Sequence, residues 1–103
     1  MEAFRSVDVF ILPTIPFVAR NIGDTTISIK EGQEEEIGVI VSQFTGIASL
    51  TGFPALNIPC GFDESGLPTG MQIIGKPFEE SLLFGIGHAY QQMTDFHLKS
   101  PAL

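Results

Sequence analysis

The apolar positions of this chain change period along its length, and those changes predict its elements. Val7–Leu12 (VDVFIL) is β-branched and aromatic and stops at Pro13, the pattern of a short, fully buried strand. Pro13-Thr14-Ile15-Pro16 follows an extended path, because a residue before proline is pushed out of the helical region. Residues 17–34 hold no sustained period and predict a long surface loop, with one short strand at Thr26–Ile29. Glu34-Glu35-Glu36 then lead into an apolar run. Three carboxylates in a first turn would favour the positive end of a helix dipole, so the expected helix runs from Glu35 to Leu50. Gly52 ends it and Pro54 forbids continuation. Ala55–Cys60 alternates Leu56, Ile58 and Cys60 on one face, as a strand does. Gly61–Pro68 is rich in turn formers and Thr69–Gly75 is a further strand, making 55–75 a hairpin. After Pro77, a last helix reaches Met93, with Leu82, Ile86, Ala89 and Met93 as its apolar stripe and Leu83 and Tyr90 beside them. Gly85 and Gly87 suit close packing of that helix on a sheet.

The expected order is β-α-β-β-α, an α/β layered fold with a mixed sheet. The first two strands would be joined by a right-handed parallel crossover and the third would pair antiparallel to the second.

Charge changes this picture. The chain has 103 residues, room for one domain, with 12 Asp and Glu against 5 Lys and Arg and a net charge of −7. Such a balance disfavours nucleic acid and anionic membrane as partners, since both call for clustered cations. From Ile37 to Phe62, 26 consecutive residues carry no charge. Ser42, Gln43, Thr45, Ser49, Thr51 and Asn57, with several glycines and prolines, interrupt the run too often for a membrane span. The better reading is an element covered on several sides by protein outside this chain. Cys60 stands alone, so there is no disulfide framework and a reducing, cytoplasmic compartment is expected. The start MEAFRSVDVF has no apolar stretch of the secretory kind.

No complete catalytic motif is present: no Gly-x-Ser-x-Gly, Ser-x-x-Lys or Cys-x-x-Cys, and no phosphate-cradling glycine loop. His88, His97 and Cys60 lack the spacing of metal ligands, so no metal and no cofactor are expected. His88 reads as a helix residue with its ring hydrogen-bonded, His97 as a surface residue, and Cys60 as a small core hydrophobe on the inward face of its strand. Asp63-Glu64 and Glu79-Glu80 read as solvated capping charge.

Several strings resemble the C-terminal part of amidase-signature hydrolases: VDVFILPTIP at 7–16, FTGIASLTGFPALNIPCGFDESGLPTGMQIIGKPFEESLL at 44–83 and HAYQQMTDFH at 88–97. The resemblance implies an α/β/α sandwich around a mixed sheet. It also implies a serine activated through a second serine by a lysine, with backbone N–H groups holding the oxyanion. Lys30, Lys76 and Lys99 match no catalytic position of the family, and no Gly-Gly-Ser-Ser-like run exists. No catalytic residue therefore carries over. Thr14, Ile15 and Pro16 fall where the family lines its substrate pocket, although a rigid strand-ending turn accounts for the same residues.

Ile47 and Ser49 stand where the family often has Pro and Asn. The apolar helix also offers no acidic residue of the kind expected in the tRNA-dependent amidotransferase branch. The leading expectation is residues 1–103 as the C-terminal structural segment of an amidase-signature domain, without the catalytic N-terminal part. Its partner would be that missing region, or a second copy, with a small amide as substrate of the whole enzyme. The alternatives are a non-catalytic interaction module derived from an amidase and a piece of the tRNA-dependent amidotransferase's amidase-type component.

Overall fold

The computed structural model describes residues 2–102. Five strands and two helices form in the order β1 (Val9–Pro13), β2 (Thr26–Lys30), β3 (Gln33–Glu36), α1 (Ile37–Thr51), β4 (Ala55–Phe62), β5 (Pro68–Gly75) and α2 (Glu80–Met93), with 3-10 turns at Glu2–Arg5 and Phe96–Leu98. The fold is α/β, as expected, but the sheets are antiparallel rather than mixed. β5 lies between β1 and β4 and pairs antiparallel with both. β1 and β4 thus run the same way, as a crossover through α1 implies, but the hairpin partner β5 is inserted between them. A hairpin closes locally, whereas β1 and β4 are separated by a long connection.

Glu34, Glu35 and Glu36 do not open the helix. They belong to β3, which pairs with β2 across the tight connection Glu31-Gly32. The loop expected over residues 17–34 therefore contains most of a hairpin. Thr25-Thr26-Ile27 favours an extended chain, and the acidic segment supplies the partner strand. α1 starts later than its acidic approach suggests, and the Ile37 N–H is satisfied by the Thr25 carbonyl at 2.9 Å. Its end is as expected: Gly52 adopts φ +74° and donates its N–H to the Ala48 carbonyl at 2.9 Å, a left-handed cap that suits a residue without Cβ.

Side chains alternate across the central sheet. On one face Ile58 and Ile73 pack with Leu83 of α2, with Val9, Leu56, Met71, Ile86 and Tyr90 around them. The helix presents Leu83 and Gly87 inward, so its buried stripe is rotated from the expected one, and Met93 is exposed. Gly87 sits where a Cβ would lie 2.8 Å from Leu56, which explains the close approach; Gly85 faces open space. The other face carries Phe10, Gln72 and Ile74. There Phe4 meets Phe10 and Phe53 edge-on, with ring centroids 4.7 and 5.5 Å apart.

α1 is attached to that second face chiefly through Gln72. The Gln72 amide is buried and donates to the Phe44 carbonyl at 2.9 Å and the Pro13 carbonyl at 3.3 Å. Of the helix itself only Ile40 is buried. Val39 and Ile47 are exposed and Leu50 is 90 % exposed. Ser42, Thr45 and Thr51 turn their hydroxyls back onto the carbonyls of Gly38, Val41 and Ile47 at 2.7–2.9 Å. The helix thus shows solvent Val39, Ile47 and Leu50 among small polar side chains and Gln43, with no charge along its length.

The whole chain shares this excess. Its accessible surface is 7460 Å², where a compact 11.1 kDa protein exposes about 5,700 Å². Its radius of gyration is 15.5 Å, against roughly 13 Å for a compact 100-residue domain. No helix among the described residues is long and apolar enough to cross a membrane.

In the β4–β5 loop, Asp63 organises the turn. Its Oδ1 accepts hydrogen bonds from the Leu67 N–H at 2.9 Å, the Ser65 hydroxyl at 2.8 Å and the Ser65 N–H at 3.0 Å. The backbone bond from Leu67, then the Ser65 hydroxyl, holds its carboxyl below the ordinary aspartate value of 3.8. A depressed carboxyl contributes stability above its unfolded pKa and loses it as pH falls through the folded value. We expect the loop to loosen as pH drops below 3.8. Carboxyl carbon shifts of Asp63 followed by NMR check this, and a midpoint at or above the ordinary value would contradict it.

Candidate functional site

The candidate residues lie where β1 ends. Pro13 closes the strand, and the chain turns through Thr14, Ile15 and Pro16 across the end of the sheet. Three bonds fix this turn. The Thr14 N–H donates to the Gly70 carbonyl at 3.2 Å, the Thr14 hydroxyl donates to Asn57 Oδ1, and the Pro13 carbonyl accepts from buried Gln72. The Thr14–Asn57 bond joins β1 to β4 across β5, which lies between them. Only a residue without a side chain fits beneath it: a Cβ on Gly70 would lie 2.7 Å from Asn57 Oδ1 and 3.4 Å from Thr14 Oγ1. Thr14 thus spends its proton on Asn57 and keeps its oxygen lone pairs, while the Asn57 amide nitrogen remains a donor.

The turn separates two open grooves. One, of about 510 Å³, is lined by apolar groups that include Ile11, Ile15, Pro16, Cys60 and Met71. The other, of about 350 Å³, is lined by Thr14, Asn57, Pro59, Thr69 and again Ile15. The structure therefore brings Thr14, Ile15 and Pro16 together at one rigid corner. Asn57, Gly70 and Gln72 complete that corner and lie outside the sequence expectation. A lone polar side chain in the apolar strand Met71–Gly75 is the available signal for Gln72, since such a group must find partners when buried.

Cys60 is not a core residue. β4 is bulged between Pro59 and Gly61, which breaks the alternation set by Leu56 and Ile58 and leaves Cys60 half-buried at the apolar groove, its Sγ 3.7 Å from Thr69 Oγ1. His88 is exposed on α2, and no hydrogen bond to its ring occurs among the described residues, contrary to expectation. His97 is exposed in the last 3-10 turn, as expected. Lys99 pairs with Asp95 at 3.1 Å. Among the described residues no three His, Cys, Asp or Glu side chains gather as a metal site would require.

This corner gathers the Thr14 hydroxyl and the Asn57 amide beside an apolar wall. Against known proteins, the family model described as Amidase matches residues 1–84. The chain belongs to the amidase family. It is 46 % identical over 103 residues to the A subunit of the glutamyl-tRNA(Gln) amidotransferase of Hahella chejuensis, covering 100 % of this chain and 20 % of that protein. The corresponding proteins of Rippkaea orientalis and of a Picosynechococcus species are 39 % and 42 % identical over 103 residues, each covering 99 % of this chain and 20 % of the relative. The amidase chain thus spans about a fifth of the length of the curated relatives it matches. Those relatives carry the amidotransferase name.

Proposed function

We propose that this chain is the C-terminal structural part of an amidase-signature amidohydrolase, an enzyme that cleaves carbon–nitrogen amide bonds, and that it does not catalyse by itself. The observation that carries this reading is the exposure of Val39, Ile47 and Leu50 on α1 and of Ile11 on the sheet, in a chain a fifth as long as its relatives. The catalytic lysine and serines would lie in the remainder, which would also complete an α/β/α sandwich and its mixed sheet. Thr14, Ile15 and Pro16 would form one wall of the substrate pocket. There the Thr14 oxygen offers an acceptor, and Ile15 and Pro16 offer a rigid apolar surface that excludes water from the scissile amide. The setting is the cytoplasm.

A second reading, a piece of a glutamyl-tRNA(Gln) amidotransferase, is favoured by the names of the relatives. It changes the source of the amide and not the role of this chain. The acidic balance leaves any tRNA contact to other parts of such an enzyme.

Two assays test the proposal. The purified 103-residue chain, prepared in a host without amidases, is expected to release no product from simple aryl and aliphatic amides. The same chain, substituted for the matching fifth of the Hahella chejuensis protein, is expected to restore amide hydrolysis to the truncated form of that protein. Turnover by the isolated chain would overturn the proposal. So would a chimera that folds but stays inactive.

A further inference from the structure

β5 runs through the middle of the central sheet, and side chains two apart on a strand share a face. Gly70 and Gln72 therefore lie on one face, toward α1. Gly70 leaves room for the Thr14–Asn57 bond that crosses it. Gln72 stands opposite Leu12 of β1 and Asn57 of β4, and it is the one buried polar residue among those described. Both of its partners are carbonyls, Phe44 at 2.9 Å and Pro13 at 3.3 Å. Two acceptors can be met only by the NH₂ group of the amide, so chemistry fixes which way the side chain is turned.

Packing does not call for an amide at this position. Phe10 and Ile74 on the same face are apolar, and burying an amide is unfavourable unless its hydrogens find partners. Nor does Phe44 need a donor, since a carbonyl inside an α-helix already faces the N–H four residues on. What the two bonds add is a link between α1 and the turn. The Pro13 carbonyl and the Thr14 N–H belong to one planar peptide unit. Gln72 holds the first, and the Gly70 carbonyl holds the second at 3.2 Å. With both ends of that plane pinned to β5, the direction of the chain at Thr14 is set, and its hydroxyl with it. The turn meets the helix again further on, where Pro16 and Phe44 line one groove of about 410 Å³.

We propose that Gln72 is a positioning residue for amide hydrolysis: it ties the Pro13–Thr14 peptide to α1 and so holds the Thr14 hydroxyl in place against the substrate. This rests on the reading of Thr14, Ile15 and Pro16 as a pocket wall and deepens it, by naming the side chain that aims the wall.

A double-mutant cycle in the chimera with the Hahella chejuensis protein tests this, with p-nitroacetanilide as the amide and each protein assayed well below its own melting temperature. Gln72→Met keeps the length of the side chain and has no donor; Thr14→Val removes the hydroxyl. Each single change should lower kcat/KM at least about tenfold, because a misplacement of about 1 Å can cost about 100-fold. Together they should lower it no further than the worse of the two, since a hydroxyl already out of place has no more to lose. In the free chain, Gln72→Met should quicken exchange of the Thr14 amide about tenfold relative to the Ile73 amide. If the Gln72→Met chimera does not fold, Gln72→Asn takes its place in the cycle, one methylene too short to span both carbonyls. An active chimera whose kcat/KM ignores Gln72, or in which the two losses multiply, would overturn the inference and leave the proposed function intact. Unchanged exchange at Thr14 would do the same. A folded chimera without activity would overturn both.

Discussion

Replacing Ile73 by alanine is expected to leave the isolated chain largely unfolded at room temperature. Ile73 is fully buried and sits mid-sheet, in register with Ile11 of β1 and Leu56 of β4. It packs in the cluster with Ile58 and Leu83 that joins the sheet to α2. Removing a buried isoleucine down to its Cβ costs about 2–5 kcal/mol, from lost transfer energy plus the cavity left behind. A chain of this size has a total stability near the low end of the usual range, about 5 kcal/mol. The uncovered face lowers it further. Urea unfolding followed by circular dichroism should show a folded baseline for the parent, a shortened one for Ile73→Val at about 0.5–1.5 kcal/mol, and none for Ile73→Ala. An unchanged midpoint for Ile73→Ala would place the cooperative core elsewhere.

Leu50→Glu is expected to do the opposite: little to the chain alone and much to its assembly. Leu50 is 90 % exposed near the end of α1, so in the free chain a carboxylate there remains in water. Its effect on the urea midpoint should stay within about 0.5 kcal/mol, as for other surface changes, and solubility should rise. If the remainder of an amidase covers this helix, the same carboxylate is buried without a partner. That penalty is several kcal/mol in an apolar setting. Titrating the free chain against the truncated Hahella chejuensis protein should then show binding weakened at least about tenfold, which corresponds to about 1.4 kcal/mol. Unchanged binding would mean that this face of α1 stays in water in the whole enzyme.

Much of the secondary structure was legible because single residues punctuate it. Gly52 and Pro54 ended α1, and Pro13 ended β1. The hairpin 55–75 and the span of α2 followed from period and turn residues alone. Pairing order was not legible. Nothing in VDVFIL states that its neighbour is β5 and not β4, because a run apolar on every side fits any central position. The acidic triplet misled for a related reason. Its charge suits a helix dipole, but the decision lay with Thr26–Lys30, a strand in need of a partner. The family resemblance drew attention to Thr14-Ile15-Pro16, while the residues that lock them, Asn57, Gly70 and Gln72, act through contacts spanning 43 to 59 positions. The bulge that displaces Cys60 is equally a product of pairing.

The hydroxyls of Ser42, Thr45 and Thr51 are turned back onto their own helix, which leaves Val39, Ile47 and Leu50 as the larger apolar groups that α1 would offer a covering surface. If the remainder of an amidase covers them, that part of the joint would be held by water's exclusion from apolar surface, a force that fades on cooling. Such a joint would weaken in the cold.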